Sequence, residues 1–309
     1  MKQRGLILAG LLLMVCALVP AGLAANQNVT RESVNTYLGV QNTVPAIDSI
    51  TLHDSDNGVL DLTPATTTTI TCNGVVRDED GFADITSVNA TIYRSSSTKN
   101  AVDSYLVHYT DSICTTSGGS GKTLNFECTF DVWFHADPGT WYCDIKVKDT
   151  FSAVNSTTPD SEVLGVLMAI DVADGTIDYG AIPVGRNTDT HGNLEQNKVV
   201  ENEGNVLFDL NLDGFAASSN DGKAMSCASG DIAVGYQHWS LASGTYGAAI
   251  PLPSGGDDVT AFNLAEASTA SGTPAPTTDT VYFHMEVPST PIVSGACTGI
   301  MQFTAIQNA

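Results

Sequence analysis

Basic side chains are scarce in this chain of 309 residues, and the shortage excludes several classes of partner. Its 12 Lys and Arg stand against 34 Asp and Glu, which gives a formal net charge of −22 at pH 7. A surface with this charge repels the phosphates of nucleic acids and the head groups of acidic lipids. We therefore expect neither nucleic acid nor an acidic membrane as a partner.

Long apolar runs are missing after residue 25. The one strong run, 6–19, follows Lys2 and Arg4 and is shorter than the roughly 20 residues of a membrane-spanning helix. A charged start, an apolar stretch and small residues before a cleavage point are typical of a secretory signal peptide. The sequence predicts such a signal at 1–25, and hence an exported protein with no membrane span in the mature chain.

A pilin-type signal is the alternative interpretation of the same segment. Cleavage would then follow Gly5, and the apolar run from Leu6 would remain as the helix of a filament core. The run has no acidic residue near its start, and Pro20 would end the helix early. A signal peptidase substrate is therefore the preferred hypothesis.

Amphipathic helical patterns are absent as well, and short alternating runs take their place. Turns rich in Asp, Gly, Ser and Asn separate these runs, as in a β-sandwich. The clearest runs are 68–72, 85–94, 124–134 and 141–147. The sequence predicts an all-β protein of two tandem β-sandwich domains, at 44–162 and 163–309, after a flexible leader at 26–43. In the second domain, 203–205 is expected to be a hairpin turn between strands at 198–202 and 206–211.

Familiar catalytic patterns are missing too. The six His lie far apart, and neither a zinc-protease motif nor a Gly-x-Ser-x-Gly elbow occurs. The stretch 120–123, Ser-Gly-Lys-Thr, imitates the end of a phosphate-binding loop, but the first glycine of that motif is absent. Glu201 and Glu203 are more simply explained as solvated side chains than as a glycosidase pair. We predict that the protein is not an enzyme.

The run 137–143, Asp-Pro-Gly-Thr-Trp-Tyr-Cys, is the most specific motif present. It resembles the Asp-x-Gly-x-Tyr-x-Cys run that enters strand F of immunoglobulin domains, with Trp141 at the position of the corner tyrosine. Strand C carries Tyr93 where antibody domains have a core tryptophan. The resemblance implies that the first domain has an immunoglobulin-like fold.

This resemblance also implies a disulfide pattern. Cys72 would lie in strand B and Cys143 in strand F, facing each other across the core, and Cys114 would then pair locally with Cys128. A loop of about 70 residues closed by a disulfide is worth roughly 4.4 kcal/mol in the chain-entropy model. The four Cys still allow three connectivities.

Two further Cys, Cys227 and Cys297, are alone in the predicted second domain. An even number of Cys in an exported chain favours disulfides, so these two are expected to pair with each other. No two Cys have the spacing of zinc ligands, so thiolate metal binding is not expected.

Acidic residues gather where the immunoglobulin-like fold would bring two loops together. Asp78, Asp80 and Asp84 follow strand B, and Asp149 follows strand F, whose loops share one end of such a sandwich. Clustered carboxylates are ligands for calcium, the one cofactor that we consider. The alternative is an acidic turn that keeps the tip solvated. A second acidic turn, with Asp54, Asp56, Asn57 and Asp61, misses the EF-hand spacing.

Three Asn-x-Ser/Thr sequons, at Asn28, Asn89 and Asn155, are candidate glycosylation sites in an exported protein. Several short stretches also resemble archaeal cell-surface proteins with tandem sandwich domains. These stretches are 75–88, 177–180, 200–206 and 294–305. The resemblance implies a surface or extracellular role and no chemistry.

The sequence therefore predicts a secreted or cell-surface structural or adhesion protein that assembles laterally through sheet edges. Its expected partners are proteins or glycans at the cell surface, including copies of itself in an oligomer or filament. A glycan- or receptor-binding module is the alternative. It would use Tyr236, Trp239 and Tyr282 as an exposed aromatic strip, although core packing is the simpler explanation for the alternating members of this set.

Overall fold

The computed structural model describes residues 33–56, 58–111, 113–156, 159–173 and 175–307. The predicted signal at 1–25, and with it the choice between the two kinds of signal, lies outside these residues. Within them the regular structure is β-strand, apart from short 3-10 helices at Phe82–Asp84 and Val234–Tyr236. The prediction of an all-β fold is confirmed. In the described part, no helix has the length and apolarity that a bilayer crossing requires.

The first nine described strands form two antiparallel sheets. They are β1 (Ala46–His53), β2 (Thr67–Arg77), β3 (Ile85–Arg94), β4 (His108–Asp111), β5 (Thr115–Ser120), β6 (Thr123–Trp133), β7 (Gly139–Asp149), β8 (Val154–Ser156) and β9 (Asp160–Leu164). One sheet has the order β1-β2-β6-β5, and the other has β4-β3-β7 with β8 and β9 both paired to β7. In immunoglobulin terms these are A-B-E-D and C′-C-F-G, so the first sandwich is immunoglobulin-like.

Alternation along the strands builds the core between these two sheets. In β6 the side chains of Phe126, Cys128, Phe130 and Val132 are buried while the residues between them are exposed. Successive side chains of a strand point to opposite faces, so this pattern places one face on the core and the other in solvent.

Trp141 occupies the centre of this core and replaces the corner tyrosine. It is 1% exposed, and its indole Nε1 donates a hydrogen bond to the backbone carbonyl of Asp137 at 3.0 Å. The indole thus bonds to a backbone carbonyl four residues upstream, as the tyrosine hydroxyl does in immunoglobulin domains. Two residues further on, Cys143 forms a disulfide with Cys72 of the opposite sheet.

The remaining twelve described strands form the second half. They are β10 (Ile170–Val172), β11 (Arg186–Asn187), β12 (Gln196–Asn202), β13 (Phe208–Phe215), β14 (Lys223–Ser229), β15 (Asp231–Ala233), β16 (Gln237–Ser240), β17 (Ile250–Pro251), β18 (Asp257–Leu264), β19 (Thr277–Val287), β20 (Ser294–Thr298) and β21 (Ile300–Gln307). The largest sheet has the order β10-β12-β19-β16-β17, with β11 also on β19. Two three-stranded sheets, β18-β13-β21 and β15-β14-β20, complete this half.

A second hydrophobic core lies between the largest sheet and the sheet β18-β13-β21. Phe208 and Leu210 of β13 are fully buried, as is Phe283 of β19. The ring of Phe283 meets that of Phe303 edge to face, with centroids 5.8 Å apart. Core membership changes between Leu167, which packs on the first core, and Met168, which packs on the second.

The predicted hairpin turn at 203–205 is wrong. β12 pairs with β10 and β19 whereas β13 pairs with β18 and β21, so the chain crosses here from one sheet to another. A Cβ on Gly204 would collide with the backbone carbonyl of Leu167, which explains the glycine. The turn packs against the segment that joins the two halves, and it does not connect two strands that pair with each other.

Asn205 makes this turn a joint between the two cores. Its side chain is 3% exposed and accepts a hydrogen bond from the backbone N–H of Leu167 at 2.7 Å. Its amide nitrogen donates to the carbonyls of Ala136 and Gly165, at 3.1 and 2.9 Å. Ala136 belongs to the first core, and residues 42–309 accordingly form one compact unit.

Candidate metal centre

The loop from β2 to β3 is shaped by hydrogen bonds that draw its aspartates inward. The backbone N–H of Asp78 donates to the carbonyl of Lys122, and the N–H of Asp80 donates to the Asp78 side chain at 2.8 Å. Gly81 has a φ of 117°, a value that favours glycine, and lets the chain turn into the 3-10 helix Phe82–Asp84. The loop is therefore a folded turn with its carboxylates facing one another.

Asp78, Asp80 and Asp84 come together at this end of the first sandwich. One carboxylate oxygen from each lies within 4.8 Å of the others. Asp78 is 0% exposed, and its Oδ2, like Oδ2 of Asp84, is buried with no hydrogen-bond partner among the described residues. Burial raises the pKa of Asp78, and the neighbouring charges of Asp84, Asp80 and Asp149 raise it further.

Asp149 approaches the same place but has different partners. Its Oδ2 accepts a hydrogen bond from the amide nitrogen of Asn42 at 2.7 Å, and its Oδ1 accepts one from the N–H of Ala153 at 2.8 Å. Burial raises the pKa of Asp149, but these hydrogen bonds and others from the backbone outweigh burial and leave it below its usual value. Both carboxylate oxygens of Asp149 are therefore hydrogen-bonded, and Asp149 supports the site without offering an unpaired oxygen as a ligand.

The residues that precede β1 also belong to this end of the sandwich, which sequence reasoning missed. The backbone N–H of Thr43 donates to Oδ2 of Asp80 at 2.7 Å. The carbonyl oxygen Oδ1 of Asn42 is buried and has no partner in the described part of the chain. The candidate ligand atoms are carboxylate and amide oxygens, and such a donor set suits a hard cation such as Ca²⁺ better than zinc or copper.

The second acidic turn is stabilised by its own backbone. Asp54 is 6% exposed, and its two carboxylate oxygens accept hydrogen bonds from the N–H groups of Asp56 and Asp61, at 3.0 and 2.9 Å. These bonds give Asp54 a structural role. Asn57 of this turn lies outside the described residues.

The aromatic residues considered for sugar binding do not form a continuous exposed strip. Trp239 is 6% exposed, and its indole Nε1 donates to the carboxylate of Asp257 at 3.0 Å. Tyr236 and Tyr282 are half-buried. Side chains alternate along β16 and β19, so the register places Trp239 beside Phe283 on the core face.

His284 has charged neighbours that the sequence does not reveal. It is fully buried on the other face of β19, with Nε2 3.2 Å from a carboxylate oxygen of Glu195 and Nδ1 3.6 Å from one of Asp189. The same carboxylates accept hydrogen bonds from Ser243 and from the N–H of Tyr246. These contacts hold the loop between β11 and β12 and the loop between β16 and β17 against this sheet.

The candidate glycosylation sites remain predictions. Asn89 lies in β3 and Asn155 in β8, and both side chains are partly exposed. Asn28 is outside the described residues. The imitation of a phosphate-binding loop is the turn between β5 and β6, where Lys122 forms an ion pair with Glu79.

No protein-family model and no curated protein matches this sequence. Among solved structures, the C-terminal domain of the antigen I/II polypeptide BspA from Streptococcus agalactiae is similar over 86% of this chain and 100% of that chain, with 12% identity and a TM-score of 0.23. The C-terminal domain of the antigen I/II-family protein AspA from Streptococcus pyogenes is similar over 85% of this chain and 100% of that one, with 10% identity and a TM-score of 0.24. Both proteins are bacterial and give no support to the archaeal resemblance. Since these TM-scores are low, the assignment of the fold depends on strand order and core.

Proposed function

We propose that this chain is an extracellular structural or adhesive protein without catalytic activity, which assembles with copies of itself through the edges of its sheets. The observation that carries this proposal is a pair of exposed, uncharged edge strands, β5 and β20. Each is fixed to its neighbouring strand by a disulfide.

All six residues of β5, Thr-Thr-Ser-Gly-Gly-Ser, are exposed. Among the described strands β5 pairs with β6 alone, so its outer row of backbone N–H and C=O groups faces away from the sheet. The disulfide between Cys114, just before β5, and Cys128 in β6 holds the strand against fraying.

β20 repeats this arrangement in the second half. Its sequence Ser-Gly-Ala-Cys-Thr carries no charge, and within the described strands it pairs with β14 alone. Cys297 of β20 is bonded to Cys227, its direct partner in the register of β14.

Neither of these two edge strands carries a charged side chain or a proline. Natural edge strands are commonly guarded by charged side chains or proline, and an unguarded edge pairs readily with another strand. In a chain with a net charge of −22, uncharged edges are also the places where a second copy is repelled least. Three disulfides support an oxidising, extracellular location.

Sedimentation of the purified protein in about 0.15 M salt tests the proposal, with negative-stain microscopy of the same samples. We expect association that increases with concentration and weakens in Ser117→Lys, on the outward face of β5, or in Ala296→Lys, on β20. A charge placed on an edge blocks strand pairing.

Thr129→Lys is the matched control. Thr129 is exposed on β6, inside the same sheet as β5, so the variant adds the same charge away from an edge. A wild-type protein that stays monomeric would contradict the proposal. So would two edge variants that both associate as the wild type does, or a control variant that is equally impaired.

A further inference from the structure

We infer that Asp78, Asp80 and Asp84, together with Asn42, bind one Ca²⁺ ion that fixes the chain where it enters the first sandwich. This inference goes beyond the proposed assembly function, because the site and the two edge strands are separate features. It is argued from unsatisfied oxygen atoms and not from the number of acidic residues.

The first observation is the state of Asp78. A fully buried carboxylate normally has each oxygen hydrogen-bonded, since an unpaired buried charge is costly. Oδ1 of Asp78 accepts a hydrogen bond from the N–H of Asp80, but Oδ2 is buried without a partner among the described residues. One carboxylate oxygen of Asp78 also lies within 4.8 Å of an oxygen of Asp80 and of Asp84. A cation between the three groups would satisfy these oxygens and remove their mutual repulsion.

The second observation is that two other oxygens share this condition. Oδ2 of Asp84 and Oδ1 of Asn42 are buried and lack partners among the described residues. Asn42 is held beside the cluster by its bond to Asp149, which turns its carbonyl oxygen away from that carboxylate. Three carboxylates and one amide carbonyl provide at least four oxygen ligands, and water would supply the rest of the six to eight that Ca²⁺ takes.

The ligands come from two separate parts of the chain. Asp78, Asp80 and Asp84 lie in the loop between β2 and β3, whereas Asn42 lies four residues before β1 (Ala46–His53). The N–H of Thr43 already donates to Asp80. A bound ion would therefore join the start of the sandwich to this loop and reduce the motion of residues 42–45.

Calorimetric titration of the chelator-treated full chain with CaCl₂ tests the inference. We expect one Ca²⁺ per chain with a Kd on the order of 0.1–1 mM, the range of extracellular calcium modules, and weaker binding of MgCl₂. Asp78→Asn and Asp84→Asn should each weaken Ca²⁺ binding by about tenfold or more, since each removes a charged ligand. Amide hydrogen exchange at residues 42–44 should slow when Ca²⁺ binds to the wild type or to the control variant described below, and should slow less in Asp78→Asn and Asp84→Asn at the same Ca²⁺ concentration.

Asp171→Asn is the matched control. Asp171, Glu201 and Glu203 also bring three carboxylate oxygens within 4.8 Å of one another, but none of these residues is buried. Binding that survives in both Asp78→Asn and Asp84→Asn, or that is lost in Asp171→Asn, would overturn the inference. So would several weak ions per chain with equal affinity for Mg²⁺.

The near-ultraviolet circular dichroism spectrum shows whether each variant is folded. If a carboxylate variant is unfolded, Asn42→Ala replaces it in the test, because this substitution leaves all the carboxylates in place. It should weaken Ca²⁺ binding by a smaller factor, and unchanged binding in this variant would remove Asn42 from the site. A chain that binds Ca²⁺ but never associates refutes the assembly function alone. A chain that associates without binding Ca²⁺ refutes this inference alone.

Discussion

The disulfide that closes the longest loop is placed differently in the two halves of the molecule. In the first half, Cys72 and Cys143 are fully buried and join the two sheets through the core. In the second half, Cys227 and Cys297 are half-buried and join neighbouring strands of a small sheet. A disulfide therefore crosses the first core, whereas within the described residues none joins the two sheets of the second core.

Removing each disulfide tests this difference and should give the largest effects. Both close loops of similar length, with sequence separations of 71 and 70, so loop entropy predicts a loss of about 4 kcal/mol for either. We expect Cys72→Ala/Cys143→Ala to cost about 1–2 kcal/mol more than Cys227→Ala/Cys297→Ala, since the first pair leaves a cavity in a closed core. Urea denaturation measures both, and equal losses would show that burial adds nothing.

The joint between the halves comes next in expected size. Asn205→Ala removes one buried and two partly buried hydrogen bonds and takes the Asn205 partner from two carbonyls and one N–H, at a cost of about 3 kcal/mol. Calorimetry should show one unfolding transition for the wild type and two for the variant, because the halves would no longer unfold together. A single transition at an unchanged temperature would contradict the role of Asn205.

Trp141→Phe tests the centre of the first core and should lower the free energy of unfolding by about 2 kcal/mol. It leaves the carbonyl of Asp137 unpaired and opens a small cavity. Trp239→Phe is the counterpart in the second half, and we expect a smaller loss because its acceptor is the carboxylate of Asp257, which can turn to solvent, whereas the acceptor of Trp141 is a backbone carbonyl. Thermal unfolding of both variants provides the measurement, and the reverse order would count against a corner role for Trp141.

The smallest effect concerns pH and a contact between the halves. Burial lowers the pKa of His135 below its ordinary 6.5, although its bond to the carbonyl of Thr269 and the charge of Asp137 act in the opposite direction. The folded state therefore holds a neutral His135, and its contribution to stability is lost as the pH falls below about 6.5, where the unfolded chain takes up a proton.

His135→Gln should accordingly lose less stability between pH 7 and pH 5 than the wild type. Asp137, whose pKa is raised mainly by burial, is present in both proteins, so the difference between the two profiles measures His135 together with its interaction with the Asp137 charge. Melting temperatures measured across this range test the point, and parallel profiles would refute it.

Local pattern was enough to predict the strands that have one face on a core. The alternating run at 85–94 is β3, and the runs at 124–134 and 141–147 lie within one residue of β6 or inside β7. The motif at 137–143 also pointed to the immunoglobulin-like order of strands. The three disulfides are those that the resemblance and the Cys count implied. These features depend on short-range alternation or on a compact motif.

Contacts between distant segments that belong to no recognised motif were not predictable. The turn at 203–205 has the composition of a hairpin, yet Asn205 bonds to carbonyls 40 and 69 residues away and directs β13 into another sheet. His284 meets Glu195 and Asp189 only because the loop between β11 and β12 folds over β19. Asn42 looked like part of a flexible leader, and only the tertiary fold places it beside Asp149.

The position of the Cys72–Cys143 bond also determines how the protein would respond to mechanical pulling. A force applied along the chain passes from Cys72 to Cys143 through sulfur, so the residues between them cannot be drawn out. At about 3.4 Å per extended residue, roughly 240 Å of chain stays hidden behind this one bond. Under a pulling force, the sheets of the first sandwich could unfold, but the distance between the two ends of the chain would not increase by this length.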